Sequence, residues 1–275
     1  MIDPAQIKSI AAQSKVDPGI VEKDYMVSKV LMALSQIEDF RNSLVFKGGT
    51  ALKKCFYPEW RFSEDVDLTA IGQMKPKGIR AVFQNAVDHE IRLFGVPMRV
   101  MEYSQYPKTG NDLITAQLKL AYDGPLRKAS GQKNNIRVDI SFDEQVYQGP
   151  VKKRVFKSYN DDIDAVIMTY ALEENIAEKL RSILQRGKSR DYYDVWVLLK
   201  DYKRDFSAQL MVEILKKKCQ DKNIPVPTVN DFFLLERIEE AGRYWERGLA
   251  HQVNNLPDFT DTVEELKLLL STLIV

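Results

Sequence analysis

Two aspartates, Asp65 and Asp67, stand two positions apart in RFSEDVDL, separated by Val66 and followed by Leu68. Alternate side chains of a strand leave on opposite faces, so this spacing puts both carboxylates on one side and both apolar residues on the other. Two carboxylates that close repel unless a cation lies between them, and hard oxygen donors of this kind suit Mg²⁺. A solvated strand edge would carry the same pattern, so the neighbourhood decides. Upstream, LVFKGGTALKKCF sets Gly48-Gly49 between a short apolar run and a helical one. Glycine there lets backbone N–H groups approach a phosphate, and a helix N-terminus adds its partial positive charge. Thr50 is expected to cap that helix or to add a hydroxyl donor.

The stretch NNIRVDISF offers a third carboxylate. Arg137, Asp139 and Ser141 fall on one strand face, and Ile136, Val138, Ile140 and Phe142 on the other. A mid-strand aspartate needs compensation, either from the neighbourhood of Arg137 or from a metal ion. Asp65, Asp67 and Asp139 on adjacent strands, beside a glycine-led helix, would supply a two-metal site for in-line attack at phosphorus. That is a design for nucleotidyl transfer.

A basic cluster lies further on, in AEKLRSILQRGKSRDYYD. Residues 179–190 include five basic side chains and no acidic one. Lys179 and Arg186, seven apart on one helix face, would suit a triphosphate or an RNA backbone; a solvated helix end would look the same. Gly187-Lys188-Ser189 is not a P-loop, because Ser182 stands where its first glycine belongs. Ser189 is expected to cap the next helix, with Asp191 and Asp194 along one face, where acids also complement the helix dipole.

The elements that must position these residues follow from periodicity and punctuation. Asp3-Pro4 and Asp17-Pro18 each read as an N-cap with proline at the first helical position. The second helix is expected to reach Gln36, with Ile20, Tyr25, Val27, Val30, Leu31 and Leu34 as its apolar stripe. A short strand over 44–46, a helix from Thr50, a strand over 66–71 and a helix over 78–94 come next. The stretches VPMRVMEY, DLITAQLKLAY and IRVDISF read as strands, the last after a polar loop rich in Gly, Lys and Asn. From about residue 160 the periodicity is helical, broken by Gly187, Pro225, Pro227 and Pro257. The pattern predicts an α/β fold, a mixed β-sheet flanked by helices over residues 1–158, with a helical C-terminal lobe over 159–275.

Composition narrows the function classes. Of 275 residues, 44% are apolar, enough for a sizeable core, and 29% are charged with a net charge of only +1, so a polyanion must be met locally. Two histidines, His89 and His251, exclude a zinc site built on several imidazoles, and no G-x-S-x-G elbow accompanies them. Cys55 and Cys219 lack metal-ligand spacing and read as buried thiols in a reducing compartment. With no secretory h-region and no apolar run near membrane-span length, the chain is expected to be cytoplasmic, with no membrane partner.

Four stretches, VEKDYMVSKVL, LVFKGGTALKKCF, RFSEDVDL and IAEKLRSILQRGKSRDYYDVWVLL, in this order over roughly residues 20 to 200, resemble the AbiEii toxin family of nucleotidyltransferases within the DNA polymerase beta superfamily. The resemblance implies a nucleotidyltransferase core with a helical C-terminal lobe, an NTP co-substrate, Mg²⁺, a cognate antitoxin and a role in type IV toxin-antitoxin or phage-defence systems. Some members extend the 3′ acceptor end of tRNA. The resemblance assigns the triphosphate to Gly48, Gly49 and Ser63, extended here to Lys47, Thr50, Lys179 and Arg186. It assigns Mg²⁺ to Asp65 and Asp67, with Asp139 as the superfamily's usual third carboxylate. Lys179 matches the family's second-motif lysine and Asp191 its downstream acid, with Asp194 competing for that role. Two other readings stand beside this one: nucleotide transfer to a protein or small molecule, and a catalytically silent binding module of the same fold.

Overall fold

The computed structural model describes residues 1–72, 74, 76–107, 114–126 and 134–274. Most of the polar loop expected before IRVDISF, together with the start of DLITAQLKLAY, lies outside the described residues. The chain divides into two units, residues 1–144 with 150–169, and residues 145–149 with 170–275.

In the first unit, both proline-led helices form as their caps require. Helix α1 (Pro4–Ser14) starts where Asp3 accepts a hydrogen bond from the Ala5 N–H at 2.7 Å, and α2 (Pro18–Leu34) where Asp17 accepts from Gly19 at 2.7 Å. The expected stripe on α2 is an understatement. Glu22, Asp24, Ser28 and Lys29 are buried with the apolar residues, so this helix runs inside the unit rather than over it. Helix α3 (Glu38–Ser43) leads into β1 (Leu44–Lys47), helix α4 (Gly48–Ala51) and a π-helical turn (Leu52–Phe56). Then come β2 (Val66–Ala70), α5 (Pro76–Phe94), β3 (Met98–Tyr106), β4 (Thr115–Tyr122), β5 (Asn134–Ser141), β6 (Val151–Arg154) and β7 (Val166–Thr169).

The described strands make one mixed seven-stranded sheet in the order β3-β4-β5-β2-β1-β7-β6. The expected burial pattern holds on both aspartate-bearing strands, with Val66 and Leu68 of β2 and Ile136, Val138 and Ile140 of β5 fully buried. These residues face α2 and α5 in one core with Phe46 of β1 and Leu118 of β4. Consequently the opposite-phase residues Asp67 and Asp139 emerge together on the other face.

The second unit is helical: α6 (Leu172–Arg186), α7 (Ser189–Asp201), α8 (Ala208–Asp221), a 3₁₀ turn (Val229–Phe233), α9 (Leu235–Arg243), α10 (Trp245–Leu249) and α11 (Phe259–Ser271). Helix α6 packs on α7 and α8, and α11 on α7. Both cysteines are buried, and burial pushes the Cys55 thiol up to about 12 and the Cys219 thiol to about 11. No described helix is long and apolar enough to cross a membrane.

One buried acid makes stability pH-dependent. Glu90 on α5 is fully buried with neither carboxylate oxygen hydrogen-bonded, and burial pushes it up to about 8 against the opposing pull of Lys29 and the N-terminal amine. Because the folded-state value lies above the ordinary one of 4.5, the neutral acid favours folding fully below that pH, and this contribution fades as pH rises through 8. Wild type is expected to lose on the order of 1–2 kcal/mol between pH 5 and pH 8.5 relative to Glu90→Gln, with water reaching the charged form softening the full linkage. Urea unfolding of both proteins across that range measures it.

Candidate active site

The site is built from the centre of the sheet outward. Strand β1 pairs antiparallel with β2, which sets Lys47 opposite Asp67. Strand β2 pairs parallel with β5, which sets Asp67 opposite Asp139. On the far side of β5, the antiparallel partner β4 sets Gln117 opposite Asp139. One transverse row therefore reads Lys47, Asp67, Asp139, Gln117. The chain leaves β1 at Lys47 straight into Gly48, so the start of α4 stands beside the carboxylates.

Gly48 has φ +79°, and a Cβ built on it would lie 2.6 Å from Asp67 Oδ2. Backbone and carboxylate meet at a distance no side chain could share. Lys47 caps α4 without a side-chain bond, so Thr50 is not the cap. Its buried hydroxyl instead donates to the Asp65 carbonyl and accepts from the Ser63 hydroxyl (Oγ–Oγ 2.7 Å), stitching α4 to the segment that enters β2. Ser63 is buried in that same contact. Lys47 is also buried, and its Nζ donates to Ser141 Oγ at 3.3 Å.

The third carboxylate is compensated by Arg137. Its Nε lies 2.8 Å from Asp139 Oδ2 and its Nη2 3.2 Å from Asp65 Oδ2, while Gln117 Nε2 donates to Asp139 Oδ1 at 2.8 Å. The guanidinium bridges β5 and the residue just before β2, where a cation between carboxylates is wanted. Among the described residues no group of three or more His, Cys, Asp or Glu side chains closes on a metal position. The donor set nonetheless fits a hard divalent cation: acidic oxygens on β5, on β2 and just before it, already served by one positive group that is half exposed.

Sequence reasoning misses Gln117, anticipates Arg137 only as compensation for Asp139 and not its reach to Asp65, and places Ser141 beside Asp139 without a role in the site. Their signal is a polar residue on the same face of each adjoining strand. That signal needs the strand register before it means anything.

In the second unit the two competing acids take different cations. Lys179 Nζ donates to the fully buried Asp194 carboxylate at 2.6 Å, while Arg186 grips Asp191 through Nε (3.0 Å) and Nη2 (3.3 Å). Ser189 does not cap α7. Lys188 occupies the cap position, and the Ser189 hydroxyl donates to the Ala241 carbonyl at 2.7 Å. Burial separates the two pairs energetically. Asp194→Asn should cost about 2 kcal/mol by leaving the nearly buried Lys179 under-compensated. Arg186→Gln, at a side chain more than half exposed, should cost less than about 1 kcal/mol. Urea unfolding of the full chain distinguishes them.

Comparison with known proteins settles the class of chemistry. The sequence profile of the family described as nucleotidyl transferase AbiEii toxin, type IV toxin-antitoxin system, matches residues 30–266. This chain belongs to the AbiEii family. The AbiEii protein is thus a nucleotidyltransferase toxin of a type IV toxin-antitoxin system, which implies an NTP substrate and an antitoxin partner. Its fold is shared with MenT4, the nucleotidyltransferase toxin Rv2826c of Mycobacterium tuberculosis H37Rv. The TM-score is 0.66 at 18% identity, over 99% of this chain and 90% of that one. No curated protein sequence matches the chain.

Proposed function

We propose that this AbiEii protein transfers NMP from an NTP to the 3′-hydroxyl of an RNA, the acceptor end of tRNA, in a Mg²⁺-dependent reaction that releases pyrophosphate. It would act in the cytoplasm as a phage-defence toxin held in check by its cognate antitoxin. The observation that carries the reading is the row across β1, β2 and β5, where the Gly48 backbone, Asp67 and Asp139 stand side by side.

In this reading Lys47, Gly48, Gly49, Thr50 and Ser63 form the nucleotide-binding group. Lys47 supplies positive charge and the glycines supply close backbone approach. Asp65, Asp67 and Asp139 hold two Mg²⁺ ions, which when bound supply charge neutralisation at the triphosphate. Asp139 accepts the proton of the attacking hydroxyl, a task for which Gln117 fixes its orientation. Arg137 keeps Asp65 and Asp139 neutralised in the absence of cation. Lys179, Arg186 and Asp191 enter through the family resemblance.

The test offers purified protein each of the four NTPs, labelled at the α-phosphate, with total tRNA. Label that nuclease removes and protease does not supports the reading. A second reading, transfer to a protein hydroxyl, is favoured by the net charge of only +1, since an RNA-binding enzyme commonly carries a basic surface. Protease-sensitive, nuclease-resistant label from a lysate would select it. Binding of Mg²⁺-NTP with no transfer to any acceptor would mark a silent binding module.

A further inference from the structure

The first of the four family-like stretches, VEKDYMVSKVL, contributes no residue to the row described above, yet it buries charge on an internal helix. Three consecutive residues of α2 each hold a different segment of the site. Glu22, almost fully buried, accepts from the Leu126 N–H at 2.6 Å and from Asn134 Nδ2 at 2.8 Å. Asn134 opens β5, the strand of Asp139. Lys23 pairs with Glu64 at 2.9 Å, the residue between Ser63 and Asp65. Asp24, 2% exposed, takes Lys54 Nζ at 2.6 Å and the Tyr159 hydroxyl at 2.7 Å. Lys54 is fully buried on the turn that continues α4, and it also donates to Ser28 Oγ at 2.8 Å.

We propose that Glu22-Lys23-Asp24 is a positioning clamp for nucleotidyl transfer, one helix turn that fastens strand β5, the lead-in to β2 and the glycine-led helix in register. The inference rests on the metal-and-nucleotide reading of that row. Its physical basis is the cost of burying ions: an apolar helix face would pack here with less desolvation, so the charged residues contribute geometry rather than stability. The geometry needed is demanding. Like-charged carboxylates must be held at ligand spacing before any cation arrives, and displacements near 1 Å at such a site cost about 100-fold in rate. None of the three touches the row itself. They act through Asn134, Glu64 and Lys54, and so are positioning residues.

The Lys23–Glu64 pair gives the cleanest test, because both side chains are about a quarter exposed and their loss should leave the fold intact. Binding of Mn²⁺ to the 275-residue chain, in an equimolar mixture of the four NTPs, is followed by electron paramagnetic resonance, with thermal unfolding in parallel. Lys23→Ala should weaken Mn²⁺ binding about 10-fold while Tm falls by only about 2 °C. The reversed pair Lys23→Glu with Glu64→Lys should recover most of that binding; because Tm moves by only about 2 °C, the roughly ten-fold change in Mn²⁺ affinity is the readout that a purely structural role would not move. Asp24→Asn and Lys54→Met should each weaken binding, and the double variant should be no worse than the poorer single. Binding within two-fold of wild type in Lys23→Ala, or no rescue by the reversed pair, overturns the clamp and leaves the proposed function standing. Wild-type protein that binds no Mn²⁺ at all overturns the metal reading, and the clamp with it.

Discussion

Asp67→Ala is expected to lower nucleotidyl transfer by at least about 10³-fold while leaving the protein folded. Asp67 sits at the midpoint of the row, opposite Lys47 on β1 and Asp139 on β5, with the Gly48 backbone against its carboxylate. No other acid in that row touches both the glycine turn and the third carboxylate strand. A cation bound to the triphosphate would need an oxygen donor there, and alanine offers none. The fold should be indifferent, because Val66 and Leu68 bury the strand from its other face and an alanine fits a partly buried strand position. Removing one of three neighbouring negative charges also relieves repulsion, so Tm is expected to stay level or rise by about 1–2 °C. Asp67→Asn, which keeps the shape, should be nearly as inactive, since an amide is a poor replacement for an anionic ligand. Labelled-NTP incorporation and a thermal melt, run on the same preparations, separate chemistry from folding. Transfer persisting within ten-fold of wild type would move the reacting centre away from β2.

Much of this row is legible in the amino-acid sequence alone. The i, i+2 aspartates, the glycine pair and the alternation of IRVDISF are local signals; IRVDISF and Asp67 lie on strands as expected, while Asp65 stands just before β2 and the glycines begin α4 two residues ahead of Thr50. Proline after a capping aspartate locates the starts of the first two helices to the residue, because cap chemistry is also local, while α2 ends at Leu34 rather than Gln36. What stays hidden depends on pairing across the chain. Strands β6 and β7 have four residues each, too few for an alternation to stand out, and β7 lies within the stretch that reads as helical. The Asp24–Lys54 ion pair joins residues thirty positions apart, and nothing in either neighbourhood marks a buried partner. Of the two expected sources of compensation for Asp139, the guanidinium of Arg137 is present, spanning to Asp65 just before the neighbouring strand β2. Which acid pairs with Lys179 is equally a question of helix packing. Asp191 and Asp194 differ by less than one turn of α7, yet the first meets Arg186 at the end of α6 and the second meets Lys179 in its middle.

Gly48→Ala tests whether the glycine turn and the carboxylate are one device. Two costs meet at this residue. At φ +79° an L side chain is strained by about 1–2 kcal/mol, and the new methyl would lie 2.6 Å from Asp67 Oδ2 and 3.3 Å from its Cβ and Cγ. Ordinary contact needs a further several tenths of an ångström or more, so either Asp67 rotates out of the row or α4 shifts away from β2. Both movements separate the backbone N–H groups from the carboxylate they must share a substrate with. The expected result is a stability loss of about 1–3 kcal/mol by urea unfolding and a fall in transfer of at least about 100-fold. Gly72→Ala supplies the control. That glycine follows β2 with φ +68°, yet a Cβ there meets nothing within 4 Å among the described residues, so it carries the strain without the clash. It should lose about 1–2 kcal/mol of stability and almost none of the activity. If the two alanine variants instead lose activity alike, the closeness of Gly48 to Asp67 is packing only, and the phosphate must be held by another part of the chain.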